Sequence, residues 1–142
     1  MTAPAPEFAD WLAICNLKAR YCRLLDTKDW DGWAALFAED LVLDTGGSGG
    51  ARIEGRAAAV AMVRRSVGEA VTTHQVHSPE ISIDGDRATA VWAMFDRVAW
   101  PNGRVLTGYG HYHERYRRTA GEWTIAETRL SRLSVEITEA AG

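Results

Sequence analysis

Val71-Thr72-Thr73-His74-Gln75-Val76-His77-Ser78 is the stretch that decides how this chain is read. It is rich in β-branched residues and carries two of the four histidines. Before it the apolar residues recur at helical spacing, and after it they alternate with period two. In a strand alternate side chains share a face, which sets His74 with Val76 and sets His77 with Gln75 and Thr73. His74 thus falls on the more apolar face, where an imidazole requires a partner. A backbone carbonyl would make it a core residue, and a side-chain partner beside a cavity would make it a functional one.

Outward toward the C-terminus, Ile81-Ser82-Ile83 alternates and meets Asp84-Gly85-Asp86, a hairpin turn into Ala88 to Trp100. Pro101-Asn102-Gly103 returns the chain through Val105 to Arg118, and Thr119-Ala120-Gly121-Glu122 returns it again through Trp123 to Ile137. Outward toward the N-terminus, Arg56 to Glu69 has helical spacing with Val60, Val63 and Val67 on its inner side. Thr45-Gly46-Gly47-Ser48-Gly49-Gly50 reads as a mobile loop at the edge of a lid, since so many glycines suit neither helix nor strand. It lacks the GxxxxGK[ST] pattern of a phosphate cradle. Leu41-Val42-Leu43-Asp44 before it reads as a short strand. Asp29 caps a short helix whose inner face is Trp33, Leu36 and Phe37.

The first helix is expected from Phe8 to Asp26, after a flexible lead-in over residues 1–7 marked by Pro4 and Pro6. One stripe on it is Phe8, Trp11, Leu12, Cys15, Ala19 and Cys22, and a second is Ile14, Leu17, Tyr21, Leu24 and Leu25. Asn16, Lys18, Arg20 and Arg23 are left outside. So wide an apolar face suits a helix lying across a sheet. The order predicts an α+β fold, a single domain over 1–142: three helices, with a strongly curved, mostly antiparallel sheet wrapped around the long first helix.

Composition narrows the function. The 142 residues are 46% apolar and 25% charged, with a net charge of -3 and an isoelectric point near 5.8. Scattered basic residues and a mildly acidic balance argue against nucleic acid. No basic segment leads into an apolar run at the start, so a cytoplasmic protein without a signal peptide or membrane segment is expected. Cys15 and Cys22, seven apart on one helix, are separated by a rise of roughly 10 Å, beyond disulfide reach.

The element order and the phrases Leu25-Asp26-Thr27-Lys28-Asp29-Trp30-Asp31, Thr73-His74-Gln75-Val76, Ile83-Asp84-Gly85-Asp86-Arg87-Ala88 and Gly110-His111-Tyr112 with Gly121-Glu122-Trp123 resemble the SnoaL-like branch of the nuclear transport factor 2-like superfamily. The resemblance covers about residues 8 to 135 and implies a cone-shaped barrel whose open end takes a small apolar ligand, in homodimers or homotrimers. The local likeness is to the scytalone dehydratase and bile acid 7α-dehydratase families. It implies Asp26 and His74 as catalytic partners, with Tyr21 and Asp96 in the places of a further tyrosine and aspartate. Leu25 stands where scytalone dehydratases carry a catalytic tyrosine, which argues against the fungal substrate.

The residues themselves allow the same constellation. Tyr21 and Asp26 are five apart on a helix, and both are expected to look into one cavity. An aspartate there needs a donor, which His74 on a facing strand supplies; the alternative for Asp26 is a solvated helix end. Trp92, Met94 and Asp96 share one strand face, so Asp96 is read as a carboxyl group on an apolar pocket wall acting as a proton donor, or as the partner of an arginine across the sheet. Trp92, Met94 and Leu25 are expected ligand contacts; Tyr109, His111 and His113 alternate with Gly110, Tyr112 and Glu114, and the family resemblance favours the face with Tyr112 as a further contact. His111 and His113 find no third ligand for a metal. Together these suggest a dehydratase needing no nicotinamide, flavin or metal, acting on a small, largely apolar, oxygenated ring compound. An isomerase or cyclase with the same pocket and a non-catalytic binding or assembly subunit are the rivals. Val91, Phe95, Val98 and Trp100 are expected on the outer sheet face, as the apolar surface of an oligomer.

Overall fold

The computed structural model describes residues 5–141, so residues 1–4 of the expected lead-in lie outside the described residues. Helix α1 spans Pro6–Asp26 and opens two residues earlier than its apolar spacing suggested, because proline suits the first turn, where its missing N–H costs nothing. Helix α2, Trp30–Ala34, is capped as expected, Gly32 N–H donating to Asp29 Oδ1 at 2.9 Å. Phe37 corrects the expected inner face of that helix, for it begins strand β1, Phe37–Asp44. The sheet takes over there: Ile125 N–H donates to the Leu36 carbonyl at 2.9 Å.

The glycine-rich segment contains a single 3₁₀ turn, Gly46–Ser48, which corrects the expectation of no helical structure there. Gly46 N–H donates to Asp44 Oδ1 at 2.9 Å, and Ser48 N–H donates to the Thr45 carbonyl at the same distance. Strand β2, Arg52–Glu54, is too short to show a period in the sequence and was not anticipated. Helix α3 spans Arg56–Val67. Strands β3, Val71–Asp84, β4, Arg87–Ala99, β5, Val105–Thr119, and β6, Glu122–Thr138, form the meander.

The sheet order is β2-β1-β6-β5-β4-β3, with β1 and β6 parallel and the other neighbours antiparallel. The result is the expected cone-like α+β fold. Irregular register bends the sheet. One extra residue is inserted in β3 between His77 and Glu80, where Ser78 has φ 48° and Pro79 cannot donate to the ladder. Another enters β6 at Leu133, between the pairs Tyr109–Ser134 and Gly110–Arg132. This second bulge moves the inner face from even to odd positions, so Thr128, Leu130, Arg132, Val135 and Ile137 all line one cavity.

Helix α1 lies across the concave face, burying Ile14, Leu17, Tyr21, Cys22 and Leu25. Asp10 fixes its start at the narrow end, accepting from Arg118 Nη1 at 2.6 Å and from Trp123 Nε1 at 3.0 Å. Two expectations fail on this helix. Phe8, Trp11 and Leu12 stay 52%, 39% and 44% exposed, because the inner side follows the second stripe. Lys18, expected outside, is completely buried beside Glu114. The expected outer apolar face is corrected as well. Val98 is buried, and both Val98 and Trp100 line the cavity, because strand parity places them on the same side as Asp96.

Candidate active site

The wide end of the cone holds a cavity of about 570 Å³. Beside it on β5, positions 108 and 110 are glycines opposite Asp96 and Met94, and the room at Gly108 is taken by the Asp96 and Arg132 side chains of the cavity wall. A methyl group on Gly108 would stand 2.7 Å from Asp96 Oδ1 and collide with the Arg132 guanidinium. Leu43, Met62, Val63, Val98 and Leu106 make an apolar wall, and the polar groups His74, Tyr21, Tyr112, Thr128, Asp96 and Arg132 converge within it.

His74 comes from β3 and Asp26 from the last turn of α1. Asp26 Oδ1 lies 2.7 Å from His74 Nδ1 and accepts from the Thr72 hydroxyl at 2.9 Å, while Oδ2 accepts from the His74 backbone N–H at 2.7 Å. Lys28 Nζ donates to the same Thr72 hydroxyl at 2.7 Å. Burial lowers the Lys28 ammonium from its usual range, with Asp26 opposing. Thr72 must therefore give its single proton to Asp26, and every neighbour of that carboxylate is a donor. The ring proton accordingly sits on Nδ1, and Nε2 is the acceptor left for the cavity. Asp26 itself does not line the cavity, which corrects the expectation that it shares the space with Tyr21; it stands behind the imidazole and orients it.

Tyr21 and Tyr112 line the cavity edge to face, their ring centres 5.7 Å apart. Burial first, and then Glu114, holds the Tyr21 phenol far above its usual range; burial first, and then Tyr21, does the same for Tyr112. Both are neutral hydroxyl donors at neutral pH. Thr128 is 1% exposed, its hydroxyl has no hydrogen-bond partner, and it lines the same cavity.

Asp96 is His74's neighbour across the β3–β4 ladder, but it is not built as an acid. Both its oxygens accept from Arg132, from Nη1 at 2.6 Å and from Nη2 at 2.8 Å, with both side chains under one-tenth exposed. A carboxylate held by two guanidinium donors presents acceptors only. Of the two readings open in the sequence, arginine pairing is the one realised. Arg132 Nε also donates to Ser48 Oγ at 3.0 Å, tying the glycine segment to β6. Trp92 and Met94 correct the expected ligand contacts: both are buried and neither lines the cavity. Trp92 Nε1 donates to the Tyr116 hydroxyl at 2.9 Å, and Met94 Sδ lies 3.6 Å from Arg132 Nη1. Leu25 and Tyr112 do line the cavity.

Sequence reading missed Arg132, Thr128 and Lys18. An inward aspartate on β4 and an inward glutamate on β5 each demanded a buried partner, and that was the available signal. No group of His, Cys, Asp and Glu able to hold a metal occurs among the described residues, and no helix among them is long and apolar enough to cross a membrane.

A curved sheet closed by a long helix, with a histidine in the cavity wall held from behind by an aspartate, is the architecture of a SnoaL-like cone. The chain belongs to the SnoaL-like domain family, which matches residues 6–129. It is similar to the D26N variant of Rv3472, a function unknown protein from Mycobacterium tuberculosis, with 31% identity, a TM-score of 0.78, and coverage of 92% of this chain and 78% of that one. Kfla4162 from Kribbella flavida shares 24% identity over 92% of this chain and 95% of that one, with a TM-score of 0.84. A type 2 hexachlorocyclohexane dehydrochlorinase shares the fold at 15% identity, with a TM-score of 0.82 over 96% of this chain and 92% of that one.

Proposed function

We propose that this protein is an acid–base lyase that removes water from a small, largely apolar, oxygenated ring compound. The observation that carries the reading is the 2.7 Å contact between Asp26 Oδ1 and His74 Nδ1, which leaves Nε2 as the imidazole's acceptor at the cavity. His74 Nε2 takes a proton from the carbon beside a ligand carbonyl, and the C–H electron pair moves into the carbonyl to give an enolate. Tyr21 donates a hydrogen bond to the developing oxyanion, as a neutral phenol is suited to do. The enolate then collapses and expels the β-hydroxyl, which takes the proton held by the His74 imidazolium and leaves as water. Asp26 stabilises that imidazolium, and Asp96 anchors Arg132. As written, the reaction draws on no nicotinamide, flavin or metal, because the carbonyl accepts the charge.

The dehydrochlorinase named among the structural neighbours carries an elimination in its name, and this supports the same direction of chemistry. An isomerase would use the same proton transfer and return the proton to another carbon. The experiment is to identify by mass spectrometry the compound that copurifies, then to incubate cyclic β-hydroxy ketones of that skeleton with the protein and with His74→Ala. Loss of one water with wild type, slowed about 10²–10⁴-fold in the variant, is expected. A product of unchanged mass assigns an isomerase, and equal rates in both proteins remove His74 from the chemistry.

A further inference from the structure

Below the cavity floor lies an ion pair that the proposed reaction does not use. Lys18 and Glu114 are both fully buried, with Nζ donating to Oε2 at 2.9 Å. Glu114 Oε1 accepts from the Tyr116 hydroxyl at 2.6 Å, and that hydroxyl accepts from Trp92 Nε1. The carboxylate is thus satisfied away from the cavity. On its other side the ammonium stands 3.6 Å from the centre of the Tyr21 ring and 3.7 Å from that of Tyr112. Among the described residues Nζ has one hydrogen-bond acceptor, Glu114, and it stands over two ring faces.

A buried ion pair is a weak device for stability, since apolar residues of equal volume generally serve as well. Its arrangement is the informative part: the positive end abuts two rings that line the cavity, and the negative end is turned toward Tyr116. A cation on the face of a ring is attracted by its π-electrons, and it favours the electron-rich, ionising form of a phenol nearby. We propose that Lys18 is a positioning residue, its ammonium fixing the Tyr21 and Tyr112 rings and strengthening their hydroxyls as donors to a ligand oxygen. This inference rests on the reading of Tyr21 as a donor in the proposed reaction, but it concerns a property that the protein has without any ligand.

The charged or titratable groups that act on Tyr21 are Glu114 on β5, Cys22 on α1, Tyr112 on β5 and Asp96 on β4; those that act on Tyr112 are Tyr21, Cys22, Asp96 and Glu114. The test places a trifluorotyrosine, whose phenol ionises several pH units lower, at position 21 or 112 and follows its titration by fluorine NMR. Measured against Glu114→Gln, which lacks the carboxylate that raises both phenols, the double variant Lys18→Met/Glu114→Gln has a midpoint higher by about one pH unit, a tenfold change in ionisation constant. The exchanged pair Lys18→Glu/Glu114→Lys puts the anion against the rings and also moves it up. An unchanged or lowered midpoint overturns the proposal. In the unaltered protein the nitrogen resonance of Lys18 must be that of an ammonium, and a neutral amine there overturns it whether or not the variants fold. Failure here leaves the dehydration reading to its product assay, and failure of that assay leaves this titration standing.

Discussion

Replacing Asp26 with asparagine exchanges one oxygen for an NH₂ group and tests the histidine's orientation with the shape preserved. Asp26 faces three donors: the Thr72 hydroxyl and His74 Nδ1 at Oδ1, and the His74 backbone N–H at Oδ2. If the amide oxygen takes the Oδ1 place, NH₂ meets the backbone N–H, two donors at about 2.7 Å, which is repulsive. If the oxygen takes the Oδ2 place, the backbone bond survives and NH₂ faces Thr72 Oγ1 and Nδ1, both of which can accept. The second orientation wins, and it moves the imidazole proton from Nδ1 to Nε2. Hydrogen bonds to a charged group are worth about 1.5–3 kcal/mol and neutral ones about 0.5–1.5, so the folded variant loses roughly 1–3 kcal/mol. With Nε2 protonated the base is gone, and turnover falls about 10²–10⁴-fold. Nitrogen–proton correlation spectra of ¹⁵N-labelled imidazoles read the tautomer without any substrate: N–H at Nδ1 in wild type and at Nε2 in Asp26→Asn. A folded variant that keeps the Nδ1–H tautomer would refute the reasoning.

Gly108→Ala forces a methyl group against Asp96 and Arg132 and should cost about 1–3 kcal/mol in urea unfolding; stability equal to wild type means the ion pair yields without cost. Burial pushes the Cys22 thiol up to about 11 from 9.0, so the folded protein keeps that proton longer than the unfolded chain does. This share of stability is complete below pH 9, and about 2–3 kcal/mol of it is lost as pH rises through 11. Cys22→Ala should therefore melt with a shallower decline between those pH values than wild type, and parallel declines count against it.

The sequence alone determined the elements that depend on local chemistry. Helical spacing gave α1 and α3, Asp29 gave the cap of α2, and the turns at Gly85, Gly103 and Gly121 gave three hairpins, because glycine accepts their positive φ without strain. Strand parity set His74 and Asp96 on the more apolar faces of their strands, and family likeness singled out Tyr112 and the pair Asp26 and His74, which the structure brings into contact. What period alone could not reach was decided by residues distant in the chain. Lys18 has the character of a solvated residue until Glu114, 96 positions away, arrives beside it. Asp96 had two readings until an extra residue in β6 at Ala126 moved the inner face from Trp123 and Ile125 to Thr128, Leu130 and Arg132, leaving Arg132 beside Gly108 and facing Asp96. Trp92 lies on the same strand face as Asp96, but whether that face meets a helix or empty space changes along the strand. A partner or a cavity is a relation between segments that only the closed cone brings together, whereas a turn or a cap is satisfied within a few residues of itself.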